Sequence, residues 1–170
     1  MPVKGARHNS GFTLVETMVA LTLLCILMVS VYTFFLSGVI SWKNNRDKAD
    51  VQENLRIAVN RLARELRQAK SIHFFDLYSG GRLEFNDPYG KIITYYCATS
   101  GDPENARQLI RAVNGTGNNP VARYIKKIMV EPVNCSPDTR LITITLLGEK
   151  GKTGEIRIST TVMLRQQGRG

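Results

Sequence analysis

Charge vanishes from the chain between Thr17 and Trp42, a run of 26 residues rich in Leu, Val, Ile, Met and Phe and free of proline. A helix that crosses a bilayer needs about 20 mostly apolar residues. Residues 12–42 therefore predict a membrane-length helix, with Trp42 and Lys43 in the order of an interfacial anchor. A cleavable secretory signal has an apolar centre of about 7–15 residues. This run is longer and is preceded by the acidic Glu16. A plain signal anchor is the alternative that hydropathy leaves open. Orientation is not set by the flanks either, because Lys43, Arg46 and Lys48 offset Lys4 and Arg7.

Beyond Trp42 the period changes without a break. Val51, Leu55, Ala58, Leu62, Leu66 and Ala69 recur in steps of three and four, which is one face of a helix. Arg56, Asn60, Arg61, Arg64 and Arg67 occupy other positions. No proline lies between Phe12 and Pro88, so the spacing predicts one continuous helix of about 60 residues, roughly 90 Å long. Its amphipathic half covers 43–70. From residue 71 the pattern becomes short β-prone runs separated by turn residues: Arg82–Phe85, Lys91–Cys97, Gln108–Val113, Tyr124–Val130, Leu141–Leu147 and Glu155–Leu164. Asn114–Pro120 reads as a long turn, and Gly148–Gly154 as the connection of a final hairpin. The expected fold class is α+β: a long N-terminal helix, membrane half plus amphipathic half, packed on a small antiparallel β-sheet head at 71–170. Residues 1–11 are a short polar, basic leader.

Composition narrows the function. The net charge of +9 is spread along the chain and forms no block of like charges. Acidic partners are permitted, and DNA is not singled out. The Arg residues of 56–67 suit the solvent side of an amphipathic helix. The only histidines are His8 in the leader and His73, so no metal cluster or His-based catalytic set is expected, and no cofactor. His73, beside Phe74 and Phe75, reads as a core or boundary residue. Asn114-Gly115-Thr116 fits a glycosylation sequon, which a Gly- and Asn-rich turn produces easily.

The junction of leader and apolar run carries the chemistry: Ser10-Gly11-Phe12-Thr13-Leu14-Val15-Glu16. A carboxylate at the start of a membrane segment is costly and calls for a partner or a role. Phe12 and Glu16, four residues apart, are expected on one helix face. This stretch resembles the cleavage and methylation motif of the type IV pilin superfamily. The resemblance implies that a prepilin peptidase cuts between Gly11 and Phe12 and methylates the new Phe12 amine. It implies that Glu16 neutralises the amine of a neighbouring subunit during assembly, a pairing that would satisfy two buried charges at once. The implied product is a structural subunit rather than an enzyme, held in the cytoplasmic membrane with its head outside. Its implied partners are the peptidase, other pilins or pseudopilins, an assembly-platform membrane protein and membrane lipid. A tip subunit that captures DNA or a surface is the alternative.

The second half resembles the J-type pseudopilin of type II secretion and the W-type minor pilin. The likeness rests on Arg82–Phe85, Ile92–Cys97, Gln108–Arg111, Ile142–Leu146 and Ser159–Arg165. Gln166 departs from it, standing where an Asn often follows the Arg. Cys97 and Cys135 both fall in the head, where an oxidising compartment would permit a disulfide. Two buried free thiols are the alternative. Cys25 falls within the apolar run.

Overall fold

The computed structural model describes residues 12–75, 80–101, 107–132 and 141–164. Helix α1 runs from Leu14 to Leu66 without interruption. The chain divides into two compact units at Lys43/Asn44. In the first unit the apolar residues of α1 are exposed, and an 18-residue window within the helix has mean hydropathy 2.5. The helix is thus long and apolar enough to cross a membrane.

In the second unit, α1 lays Val51, Leu55, Ala58, Val59, Leu62, Ala63 and Leu66 into the core. These include the positions picked out by the three–four spacing. The helix ends at Leu66, a few residues short of the expected 70, and Ala69 is nonetheless buried in the turn that follows.

Eight strands follow among the described residues: β1 (Ser71–Phe75), β2 (Arg82–Asn86), β3 (Ile92–Thr99), β4 (Arg107–Val113), β5 (Thr116–Arg123), β6 (Ile125–Glu131), β7 (Leu141–Gly148) and β8 (Ile156–Met163). They form two antiparallel sheets rather than one, with orders β1-β2-β3-β4-β5 and β6-β7-β8. The break falls at Tyr124, whose φ of 63° turns the chain from one sheet into the other. Period-two alternation supplies the sheet half of the core. Leu83, Phe85, Ile93, Tyr95 and Leu109 come from the first sheet, and Ile128, Val130, Ile142, Ile144, Leu146 and Val162 from the second.

Three expectations change. Asn114–Pro120 is not a long turn. Asn114 (φ 51°) and Gly115 (φ 73°) alone make a two-residue hairpin, and β5 begins at Thr116. Positive φ at both central residues is what an Asn-Gly hairpin turn supplies. Pro120 is then accommodated in an edge strand, where a missing N–H can face outward. β1 was not among the expected runs. It places Ile72 in the core and leaves His73 exposed, paired in register with Glu84. His73 is therefore a surface residue.

Polar contacts fasten the helix to the sheets. Asn54 Oδ1 accepts from the Arg123 backbone N–H at 2.9 Å. Lys150, in the β7–β8 connection, reaches Asp47 at 2.9 Å and Asp50 at 2.6 Å, with its ammonium 4.9 Å from the centre of the Tyr124 ring. Lys150 holds the Asp50 carboxyl below its ordinary range.

Candidate functional site

The start of α1 is a closed hydrogen-bonded unit. Thr13 immediately precedes the first helical residue, and its backbone N–H and side-chain hydroxyl both donate to Glu16 Oε2, each at 3.1 Å. In return the Glu16 N–H donates to Thr13 Oγ1 at 3.3 Å, and the Thr17 N–H donates to the Thr13 carbonyl at 3.2 Å. This is a capping box, in which an N-cap hydroxyl and a carboxylate three residues on satisfy helix-start donors reciprocally. The acidic group also suits the positive end of the helix dipole. Sequence reading found the unusual charge and overlooked the Thr-x-x-Glu spacing of Thr13-Leu14-Val15-Glu16, which signals such a cap.

Phe12 is placed differently from expectation. It lies before the cap residue, outside the helix and 86% exposed, so it does not share a helix face with Glu16. The cap rather than a helical turn separates them. Glu16 is consequently held by its own chain, while Phe12 lies exposed ahead of the helix. Gly11, the other residue of the expected cleavage pair, lies outside the described residues.

Farther along the helix, five hydroxyl side chains find a partner in the helix backbone. Thr17 donates to Leu14 O, Thr22 to Val19 O, Ser30 to Ile26 O, Thr33 to Ser30 O and Ser37 to Thr33 O, at 2.8–2.9 Å. Satisfied hydroxyls cost little in lipid, because the bilayer offers no replacement partner. Thr22, Ile26, Ser30, Thr33, Ser37 and Ser41 also follow three–four steps, giving α1 a face of mostly small side chains. Small side chains let helices approach closely in membranes.

In the head, two buried polar atoms, Ser71 Oγ and the Tyr95 hydroxyl, make no well-formed hydrogen bond among the described residues. An open groove of about 530 Å³ is lined by Arg82, Thr94, Tyr96, Ala112 and Asn118, among others. Its polar groups answer one another: Arg82 Nε donates to Glu84 at 2.8 Å, and the Tyr96 hydroxyl donates to Asn118 Oδ1 at 2.8 Å. Among the described residues no three His, Cys, Asp or Glu side chains gather as a metal site would require. Cys97 is half-buried on β3, and burial pushes its thiol up to about 12. Cys135 lies outside the described residues, so its pairing with Cys97 stays an expectation.

Taken together, a capped membrane-length helix that continues into the core of an antiparallel head defines an α+β protein consistent with a membrane anchor. A family model for the prokaryotic N-terminal methylation motif matches residues 6–32, a span that contains the whole capping box. No curated protein and no solved structure gives a significant match to the chain. The motif is the type IV prepilin-like signal and fits the pilin-like superfamily. The match covers 27 of the 170 residues, the junction with the leader and the first part of α1.

Proposed function

We propose that this chain is a minor pilin or pseudopilin, cut between Gly11 and Phe12, methylated on the Phe12 amine, and built into a type IV pilus or a type II secretion pseudopilus. The observation that carries the reading is the methylation motif at 6–32 set directly on the Glu16 cap. Residues 1–11 are the leader, 12–42 the membrane half of the helix, 43–70 its amphipathic half and 71–170 the head. The head stands outside the cytoplasm, and the assembly-platform protein draws the processed subunit out of the membrane. The strand-rich head, with its J-type and W-type likeness, favours a minor subunit.

Glu16 is the assembly residue. In the unassembled chain its carboxylate is satisfied by Thr13, so the membrane pool carries no bare anion at the helix start. On assembly it takes the amine of a neighbour, a stronger, charge-assisted partner. Glu16→Gln keeps size and most hydrogen bonding but removes the charge. Membrane insertion and cleavage at Gly11 should survive, while co-purification of the processed chain with partner pilins should be lost. Co-assembly at the wild-type level would remove Glu16 from this role, and a chain that is never cleaved would remove the leader assignment.

A further inference from the structure

Four strand edges bound the two sheets other than those already paired, and three of them are blunted. β1 is only five residues long. β5 carries Pro120 and pairs with β4 through two register shifts. The outer edge of β6 is closed where the Ile128 N–H donates to the Gly80 carbonyl at 2.8 Å. Short length, proline, bulges and covering contacts are the usual means by which proteins keep sheet edges from recruiting other chains.

Among the described residues β8 has none of these. Its sequence, Ile156-Arg157-Ile158-Ser159-Thr160-Thr161-Val162-Met163, contains no Pro, Gly, Lys, Asp or Glu. All eight residues pair with β7 without a register shift. Among the described residues β7 is its only strand partner. The inward row of Ile156 and Ile158 is only partly buried while packing on the core, and Val162 completes it. The outward row continues a hydroxyl ladder from β7, with Thr143 to Thr161 at 3.1 Å and Thr145 to Ser159 at 2.9 Å. Arg157 is the single charge on the strand.

We propose that the outer edge of β8 accepts an extended strand from a partner chain, in which apolar residues alternate with hydroxyl residues and a carboxylate lies opposite Arg157. Main-chain hydrogen bonds supply affinity in strand addition, and alternate side chains supply specificity. The apolar row of the incoming strand would cover what remains exposed of Ile156 and Ile158, and its hydroxyl row would extend the Thr–Thr and Thr–Ser pairs. The inference stands on the head alone, so its failure would leave the assembly role of Glu16 untouched.

The test uses the full chain in detergent micelles and a capped eight-residue peptide alternating isoleucine and threonine, with one threonine replaced by glutamate. Amide hydrogen exchange is followed residue by residue. Every second amide of Ile156–Met163, the set not bonded to β7, should slow about tenfold. The same peptide with alternate N-methylated residues should slow none. Arg157→Glu should weaken the glutamate peptide and favour a lysine counterpart; equal binding of both would overturn the carboxylate assignment. Protection at β1 or β5 instead of β8, or no protection anywhere, would overturn the edge. Protection that appears without peptide and grows with protein concentration would give the edge to a second copy and overturn the proposed occupant.

Discussion

Arg111 on β4 meets Glu65 on α1 across the head, its Nε 3.0 Å from both carboxylate oxygens. Their side chains are 19% and 21% exposed, enough burial that water cannot fully replace either partner. Arg61, one helical turn before Glu65, adds a weaker contact at 3.5 Å. This triad joins the helix to the first sheet at the level of the buried Tyr95. Glu65→Gln leaves a mostly buried guanidinium without its counter-charge and should cost about 2 kcal/mol, read from the urea midpoint of the full chain in micelles. Removing both partners, as Glu65→Gln with Arg111→Met, should cost less than the two single changes added together. Additive losses would show that the two residues act separately.

Tyr95 lies beside that pair and is fully buried, stacked on Phe85 at 6.1 Å between ring centres, and among the described residues its hydroxyl makes no well-formed hydrogen bond. Tyr95→Phe removes an unsatisfied polar atom and keeps the ring. Stability should therefore hold, or rise by up to about 1 kcal/mol. Burial, and next the negative charge of Glu65, raise the Tyr95 phenol above its ordinary 10.0. The folded state thus holds this proton more tightly than the unfolded state does. Its contribution is complete below pH 10 and is lost as pH rises beyond that value. The Phe variant should show a shallower alkaline fall in thermal midpoint, and an equally steep fall would assign the loss to other groups.

Gly148 closes β7 against the helix. A Cβ there would lie 2.8 Å from Val51 Cγ1, 3.1 Å from Leu55 Cδ1 and 2.9 Å from the Tyr124 carbonyl oxygen. Side chains can give way, but the backbone carbonyl accepts from the Glu149 N–H at 3.0 Å and is held in place. Gly148→Ala should lose about 1–3 kcal/mol in denaturant unfolding, the usual range for overpacking. Gly101→Ala, where φ is not in the left-handed region and a Cβ meets no atom within 4 Å, is the comparison. Equal losses at the two sites would remove the close contacts at Gly148 as the cause.

The elements that the sequence revealed are those whose signal is local. The buried helix face from Val51 to Leu66 follows from three–four spacing, and β7 from the strict alternation of Ile142, Ile144 and Leu146. β5 was hidden because Gly117, Asn118, Asn119 and Pro120 carry turn chemistry. Pairing with β4 overrides those preferences at a sheet edge. β1 is no shorter than β2, which the pattern predicts, so length does not explain why β1 was missed. The division into two sheets depends on the bend at Tyr124, a residue with no turn signature. Contacts such as Glu65 to Arg111, 46 positions apart, follow from sheet register rather than from any spacing in the chain. At the candidate site, charge pointed to Glu16 while the shorter Thr13–Glu16 spacing carried the additional role.

That additional role can be separated from assembly by changing Thr13. In the capped state Thr13 contributes its hydroxyl twice, donating to Glu16 Oε2 and accepting from the Glu16 N–H. Thr13→Ala removes both contacts and leaves the carboxylate intact. Loss of an N-cap hydroxyl costs about 1 kcal/mol, so amide exchange at Val15 and Glu16 should quicken about fivefold in micelles. If a neighbour's amine takes the same oxygen, as proposed, assembly should not require the hydroxyl. Thr13→Ala should therefore co-purify with partner pilins at least as well as wild type, whereas Glu16→Gln should not. Were both variants to fail equally while remaining cleaved, the cap itself would be what assembly needs. The charge of Glu16 would then serve the helix start rather than the neighbouring subunit.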